Sequence, residues 1–423
     1  MILIQRFKSI LLQKIPFYSI LKKDYQHIKE AIENTFGKKI LYSKDCIELS
    51  EGIYQKIHVR ISFQTLRRLF GYIIDGVKIS NTSLHYLSIY CGYENFENFI
   101  NDYQKSNELV DAKDIKYIKL FYAISTSNTQ QDENYHNASK NIALLLFKNK
   151  ALLNATSTFL SKNSTAQIYF FERFPFIDML SSGYALHLKK YLNEKKNTEA
   201  QLFGNCLLYL GYALSNNPLR SKIITIINSI ELDQTTHPFP IGRKYACNIL
   251  ENYLNNNTTE LERWIALSMI EAININKRKK EHNNFPYFQF VLADVFNLIE
   301  RPKEAKQMIE ICELDYKRVP DFTLDNGYLE ALDLVKAINL LQLNKPADSK
   351  RILNRLKSTD IVFIMHDYFL IQRLLVEIKL IKSKQSIKYK KMYQEITSLI
   401  DKRNFLFFKK KLETYKKIRK ENK

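Results

Sequence analysis

Two segments of the chain share one pattern of residues: Asn297-Leu-Ile-Glu-Arg-Pro-Lys-Glu-Ala-Lys-Gln-Met-Ile309 and Asn339-Leu-Leu-Gln-Leu-Asn-Lys-Pro-Ala-Asp-Ser-Lys-Arg-Ile-Leu353. Each contains the end of an apolar helix, a short turn with proline and the start of a second helix. An early small residue in that helix, Ala305 or Ser349, lets neighbouring helices approach. Proline suits the first turn of a helix, because the amide that it lacks has no helical partner there. The pattern predicts helical hairpins.

Turns of the same kind recur through the second half of the chain, with centres about 40–44 residues apart. They lie at Asn216-Asn217-Pro218, Asn255-Asn256-Asn257-Thr258-Thr259, Glu300-Arg301-Pro302, Leu343-Asn344-Lys345-Pro346 and Ser383-Lys384-Gln385-Ser386. A steady period of this length is typical of helical-repeat proteins, whose hairpins stack on their neighbours. Earlier hairpins, at 116–125 with 137–147 and at 166–192, share no period with this array.

The hairpin pair resembles tetratricopeptide-type repeats, in which a small residue opens the second helix after a short turn. Leu210-Gly211-Tyr212-Ala213 is a local echo of that family's pattern. The period is longer than the family's 34 residues, so an α-α solenoid of longer hairpins describes residues 200–400 equally well. The resemblance implies stacked hairpins whose concave face binds a peptide, a protein or a second subunit.

The composition predicts an all-α protein with more than one folding unit. Only 10 Gly and 9 Pro occur in 423 residues, too few for the turns that β-sandwiches and barrels require. The length exceeds what one hydrophobic core usually serves. We expect a first domain at residues 1–105, a polar linker, and a helical-repeat domain at residues 114–423.

The first domain is predicted to contain five short helices, at about 20–36, 44–55, 63–71, 82–91 and 94–103. Ser62 precedes the third helix and is a good N-cap, because a serine oxygen satisfies the first free amides. Leu66, Leu69 and Phe70 follow helical spacing and should face the core. Ser80 is likewise a good N-cap for the fourth helix, and Gly92 is expected to end that helix.

Two of these segments, Ile61-Ser-Phe-Gln-Thr-Leu-Arg-Arg-Leu-Phe-Gly71 and Ser83-Leu-His-Tyr-Leu-Ser-Ile-Tyr-Cys-Gly92, resemble the repressor-type helix-turn-helix family. The connection 55–61 is longer than the family's tight turn and lacks its glycine. The resemblance implies that helix 63–71 enters the major groove of duplex DNA. It implies base contacts by Gln64 and Thr65 and phosphate or guanine contacts by the arginines. The implied DNA-binding residues are Arg60, Ser62, Gln64, Thr65, Arg67, Arg68 and Lys78.

The basic charge is concentrated at the end of the chain. The formal net charge is +20, and residues 379–423 hold 16 Lys and Arg against 4 Asp and Glu. The tail, about 401–423, is predicted to be an amphipathic helix in which Phe405, Phe408, Leu412 and Tyr415 cap the array. Its cations are candidates for binding a polyanion: Lys409, Lys410, Lys411, Lys416, Lys417, Arg419 and Lys420. A merely solvated tail is the alternative.

No catalytic motif is recognisable. The sequence has no glycine-rich phosphate loop, no HExxH and no Gly-x-Ser-x-Gly, and its 8 histidines are scattered. Asp367 with Glu377-Ile-Lys379 imitates the acidic residues and lysine of metal-dependent nucleases. In a helix, however, positions 377 and 379 point away from each other, so the site does not form. We expect no enzyme activity, no metal and no cofactor.

The sequence is typical of a cytoplasmic protein. Five cysteines, none in a CxxC pair, are typical of free thiols in a reducing compartment. The first residues lack an uninterrupted apolar segment with a cleavage site, and no apolar run approaches the roughly 20 residues of a membrane span.

The two parts together resemble bacterial sensor-regulators that join a repressor-type DNA-binding domain to tetratricopeptide repeats. The resemblance implies a homodimer in which a partner in the groove alters how paired DNA-binding modules are presented. We therefore expect a DNA-binding regulator. Two alternatives remain open: a scaffold or adaptor that binds proteins through both domains, with the first domain as a docking module, and a solenoid that binds RNA along its basic end.

Overall fold

The computed structural model describes the backbone of residues 15–100, 111–124, 129–232, 236–275, 285–316, 327–356, 363–381, 383 and 386–421. Helices and turns account for these residues, and no β-strand occurs among them. The predicted all-α class is confirmed. The chain packs as two compact units: unit 1, Met1–Asp114 with Asn149–Leu152, and unit 2, Ile115–Lys148 with Leu153–Lys423.

Unit 1 contains helices close to those predicted. They are α1 (Ile15–Phe36), α2 (Asp45–Ile57), α3 (Phe63–Phe70) and α4 (Asn81–Tyr90), and residues 96–100 are also helical. Each of these four helices contributes an i, i+3 or i, i+4 pair of fully or almost fully buried aliphatic side chains: Ile28 and Ile32, Leu49 and Ile53, Leu66 and Leu69, Leu84 and Leu87. This apolar spacing forms the core of the unit and fixes which face of α3 is left outside.

Unit 2 begins with helices that do not follow the later period. They are α5 (Ala112–Ala123, whose first residues belong to unit 1), α6 (Thr129–Lys148) and α7 (Lys150–Lys162). The hairpin predicted at 166–192 is not two regular helices. π-helical turns at Gln167–Glu172 and Leu180–Tyr184 flank a short 3-10 turn, Ile177–Met179, before α8 (Ala185–Glu194).

Helix pairs then follow at each predicted turn. The helices are α9 (Thr198–Leu214) with α10 (Arg220–Ser229), α11 (Pro238–Leu254) with α12 (Thr258–Ile275), α13 (Tyr287–Leu298) with α14 (Pro302–Tyr316), α15 (Tyr328–Gln342) with α16 (Pro346–Arg355), and α17 (His366–Leu380) with α18 (Ile387–Arg403). The first helices of successive pairs pack on one another in order, from α9 to α17.

The first four of these hairpins turn through one shared backbone conformation. Asn216, Asn256, Glu300 and Asn344 have φ of 53°, 54°, 60° and 58°. After each, the next amide donates to the carbonyl five residues earlier, as from Lys345 to Leu340 over 2.8 Å. This is the Schellman ending, in which asparagine is the residue other than glycine that adapts best. These four hairpin positions are thus confirmed, while Lys384 and Gln385 of the fifth predicted turn lie outside the described residues. A relationship to tetratricopeptide repeats stays a prediction.

The last helix, α19 (Leu406–Glu421), packs on α17 and α18 and also on α9. Phe405, Phe408 and Leu412 are buried, as the amphipathic pattern predicts. Near its start, Ser181 Oγ donates to the Arg403 carbonyl over 2.5 Å. Within unit 2, the end of the helix-pair array therefore meets the segment that precedes it.

The cysteines and the helix lengths agree with two further predictions. All five cysteines are free thiols, and Cys91 alone among them is half-buried rather than buried. Among the described helices, none combines the length and the apolar character needed to cross a membrane.

Candidate binding sites

The first candidate site is the exposed face of α3 in unit 1. Ser62 Oγ accepts a hydrogen bond from the Thr65 amide over 3.1 Å and lies 3.0 Å from Thr65 Oγ1. Ser62 is thus the N-cap that the sequence predicts. Buried Leu66 and Leu69 hold the opposite face, so Gln64 at the N-terminal end projects into solvent.

The basic residues of this face are largely engaged within unit 1. Arg60 lies 3.5 Å from Glu51, and both side chains are more than half exposed. Arg68 Nε lies 2.7 Å from Asp75 Oδ2. The Arg67 guanidinium stacks 4.9 Å from the centre of the Phe63 ring. Lys78 is exposed.

The connection between α2 and α3 contains a residue in the left-handed backbone conformation, and that residue is not glycine. His58 has a φ of 55°, and its amide closes α2 by donating to the Tyr54 carbonyl over 2.9 Å. The chain then runs extended to Ser62, the cap of α3. A histidine thus takes a left-handed conformation that favours glycine and that a non-glycine residue adopts at some cost in energy.

The second candidate site is the basic face of α19. Lys409 and Lys410 are exposed, and Lys409 lies 3.8 Å from Asp401. Lys411 differs from them, because its side chain is only 14% exposed and lies 3.8 Å from Glu300. Burial lowers the pKa of Lys411 to about 8. The remaining predicted cations, Lys416, Lys417, Arg419 and Lys420, have side chains outside the described residues.

The third candidate site, a cavity of about 50 Å³, lies between α9, α11, α13 and the start of α17. Its polar lining comes from Tyr209, Arg243, Asp294 and Tyr368. Most of the remaining lining is apolar: Cys206, Leu210, Ala246, Cys247, Leu250, Val291, Val295, Leu298 and Met365. Because each of the three array helices contributes at intervals of about 40 residues, only packing brings these side chains together.

Asp294 is held at this cavity by neutral donors. Tyr368 Oη donates to its Oδ2 over 2.6 Å, and Gln372 Nε2 donates to its Oδ1 over 3.2 Å. Burial raises the pKa of Asp294 to about 6, against these two hydrogen bonds and the charge of Arg243.

A polar network adjoins the cavity at Tyr209, one of its lining residues. Glu251 Oε2 accepts from Tyr209 Oη over 2.9 Å and from Arg220 Nη1 over 2.6 Å. The network joins the first hairpin, α9 and α10, to the first helix of the next. Tyr209 is thereby fixed in orientation and presents its ring to the cavity.

The arrangement offers no metal centre within the described part of the chain, where no group of three His, Cys, Asp or Glu side chains is placed to hold an ion. The nuclease-like residues Asp367, Glu377 and Lys379 lie along the single helix α17. Asp367 pairs with Arg403 over 2.6 Å, and Glu377 pairs with Arg373 over 2.8 Å. The carboxylates are thus used in separate ion pairs.

Comparison of the chain with protein-family models, with characterised proteins and with solved structures finds no match. Function is therefore inferred from the three sites. Sequence patterns located the face of α3 and the basic helix, but they did not single out Arg243 or the cavity. The only local signal was an arginine within the apolar run that starts at Pro238.

Proposed function

We propose that the protein is a DNA-binding regulator whose helical array in unit 2 binds a partner and whose chain carries no catalytic centre. The observation that carries the proposal is the capped N-terminal end of α3, where exposed Gln64 stands beside Arg60 and Arg68 in a compact unit of its own. A glutamine side chain makes paired hydrogen bonds to adenine in the major groove, and arginines contact phosphates or guanine.

The ion pairs of this face are compatible with that role. Arg60–Glu51 is exposed on both sides and Arg68–Asp75 on about a third of each side chain. Exposed pairs contribute roughly 0–1 kcal/mol, which phosphate contacts readily replace. The acidic partners weaken the long-range attraction of this face for any polyanion, the duplex included, because each cancels the field of its arginine at a distance.

An adaptor remains the alternative, and one observation favours it. Unit 1 exposes large apolar side chains on two loops: Leu41 and Tyr42 after α1, and Ile74 and Val77 after α3. Tyr72 Oη joins the loops by donating to the Ile40 carbonyl over 2.8 Å. Ile74 is 94% exposed. Clustered exposed apolar residues are typical of protein-docking surfaces.

The test is duplex-DNA binding by the full-length chain across a salt series. We expect log affinity to fall linearly with log salt, and we expect Arg67→Ala with Arg68→Ala to weaken binding at least tenfold and to flatten the slope. Gln64→Ala, at an exposed position, should instead relax sequence preference. Lys409→Gln with Lys410→Gln, two exposed cations of unit 2, tests the second candidate site in the same assay.

Each outcome separates the interpretations. Loss of binding only in the unit 1 variants supports the regulator, provided that circular dichroism shows them folded. Loss only in the Lys409 and Lys410 variant assigns polyanion binding to α19. If the full-length chain has no duplex affinity at low salt, the regulator is wrong, and Ile74→Asp then becomes the variant with which to test the adaptor.

A further inference from the structure

Arg243 occupies an unusual position in unit 2. It lies within α11 and is only 8% exposed, yet its Nε has no hydrogen-bond partner among the described residues. Its guanidinium carbon stacks 4.5 Å from the centre of the Phe239 ring, one turn earlier on the same helix. None of the ion pairs among the described residues includes Arg243, and the one carboxylate of the cavity lining, Asp294, interacts with it only through its charge. Arg403, whose side chain is 14% exposed, differs from Arg243 because it forms an ion pair with Asp367.

A buried cation that has no carboxylate in ion-pair contact costs folding free energy, because protein atoms solvate charge less well than water does. Burial lowers the pKa of Arg243, but a guanidinium remains protonated at neutral pH. The stacking on Phe239 offsets part of the cost. Structural reasons alone would favour an apolar residue here, as at most positions around this cavity. The charge therefore indicates a ligand of opposite sign.

The cavity beside Arg243 limits what that ligand can be. Its volume of about 50 Å³ admits roughly three to five non-hydrogen atoms, taking about 10–15 Å³ for each water-sized group. A carboxylate with one or two carbons fills that space. The apolar lining, with Leu210, Val291 and Leu298, suits an aliphatic group better than a hydrated inorganic anion.

The carboxylate of Asp294 favours a singly charged anion over a doubly charged one in this cavity. Both of its oxygens already accept hydrogen bonds, from Tyr368 and Gln372, so it does not need Arg243 as a partner. A doubly charged phosphate beside this carboxylate would meet repulsion. A singly charged carboxylate meets less, and it matches the planar fork of a guanidinium.

We propose that Arg243 binds the carboxylate of a small aliphatic acid, or the C-terminal carboxylate of a peptide, in the cavity between α9, α11 and α13. The ligand's apolar part contacts Leu210 and Val291 at the half-buried rim. A peptide would place only its terminal carboxylate inside, because the cavity is too small for more. This inference rests on the proposed function only for the role of unit 2 as the partner-binding part.

The test measures the thermal stability of the full-length protein and, by calorimetry, its binding of defined probes. The small-acid probes are sodium acetate, butyrate and hexanoate, each compared with the corresponding amide. The peptide probe is tetraalanine with a free C-terminus, compared with its C-terminal amide. We expect acids to raise the melting temperature at millimolar concentrations and the amides to have no effect. Which free acid binds best distinguishes the small-molecule source from the peptide source.

Variants decide whether Arg243 is the residue responsible. Arg243→Met and Arg243→Gln should weaken acid binding at least tenfold. Without ligand, Arg243→Met should melt no lower than the natural protein, because an unpaired buried charge has been removed. A purely structural arginine would give the opposite result. Arg263→Gln, at an exposed arginine of α12, should leave acid binding unchanged.

The proposal is overturned if no acid probe binds, if acids bind equally to Arg243→Met, or if inorganic phosphate binds more tightly than every carboxylate. None of these measurements involves DNA. If acids bind but the protein has no duplex affinity, the DNA-binding regulator is contradicted and the carboxylate site is supported. If the duplex binds but no acid does, the carboxylate site is contradicted and the regulator is supported.

Discussion

Asp178 Oδ2 accepts a hydrogen bond of 2.8 Å from the backbone amide of Asp367, although 189 residues separate the two. Its Oδ1 accepts from the next amide, that of Tyr368, over 2.9 Å. Helix α17 begins after Met365, which provides no side-chain cap. Asp178 therefore satisfies two of the free amides at a distant helix N-terminus and performs the role that a local Ser or Asp usually has.

These two aspartates titrate in opposite directions. Burial raises the pKa of Asp178 to about 7, against the two amide hydrogen bonds that lower it. Burial alone would also raise the pKa of Asp367, but the hydrogen bond from His366 and the charge of Arg403 outweigh burial and hold the pKa well below its ordinary value of 3.8. The folded protein thus binds a proton at Asp178 more tightly than the unfolded chain does, and one at Asp367 less tightly.

The first prediction follows from those signs. The contribution of Asp178 to the free energy of unfolding is fully present near pH 4 and is lost as the pH rises towards 7, at up to roughly 1.4 kcal/mol per pH unit. The contribution of Asp367 is present above pH 4 and is lost in more acidic solution. Urea unfolding between pH 5 and 8 isolates this contribution as the difference in unfolding free energy between the natural protein and Asp178→Asn, and that difference should fall as the pH rises.

The control for this prediction is Asp348→Asn, at an exposed aspartate of α16. It should keep the full pH dependence of the natural protein. An unchanged slope in Asp178→Asn would show that another group causes the dependence. Because asparagine has only one side-chain oxygen to accept the two amides, the variant should also be less stable at pH 5.

The second prediction concerns the close approach of α11 and α13. A Cβ at Gly242 would lie 2.9 Å from Phe288 Cα and 3.2 Å from the Phe288 carbonyl oxygen. Backbone atoms of a packed helix do not move cheaply. Gly→Ala within a helix ordinarily stabilises by about 1 kcal/mol. Here we expect Gly242→Ala to destabilise unit 2 by about 1–3 kcal/mol in urea unfolding.

Gly204→Ala provides the comparison, because its nearest contact is the end of the Leu192 side chain at 2.6 Å. A side-chain end can move to another rotamer, so this variant should lose less stability than Gly242→Ala. If Gly242→Ala is as stable as the natural protein, the two helices do not approach as closely as described.

The features that the sequence predicted well are those with local causes. The hairpin turns were found because the left-handed position after each first helix is taken by Asn216, Asn256 or Asn344, or by Glu300 followed closely by proline. Ser62 and its helix were found because a cap acts over three residues. The scarcity of glycine and proline predicted the all-α class, and helical apolar spacing predicted the burial of Leu66.

The features that it did not predict depend on residues far apart in the chain. The Asp178 cap joins segments 189 residues apart. Arg243, Asp294 and Tyr368 meet at the cavity, and no sequence pattern near any of them predicts that they lie close together. The sequence groups Lys411 with the other cations of its helix, but its side chain is only 14% exposed and lies beside Glu300, at the turn after α13.

The third prediction rests on the proposed function and on the 2.7 Å pair of Arg68 Nε with Asp75 Oδ2. Asp75→Asn removes a negative charge from the proposed DNA-binding face and leaves Arg68 free to contact phosphate. Duplex affinity should rise several-fold, and the salt dependence should steepen by about one phosphate contact. Glu97→Gln changes the net charge equally at an exposed position after α4, so equal gains in both variants would indicate only a long-range charge effect. An unchanged affinity in Asp75→Asn would mean that Arg68 does not meet the duplex, because a contacting arginine released from its ion pair necessarily binds phosphate more strongly.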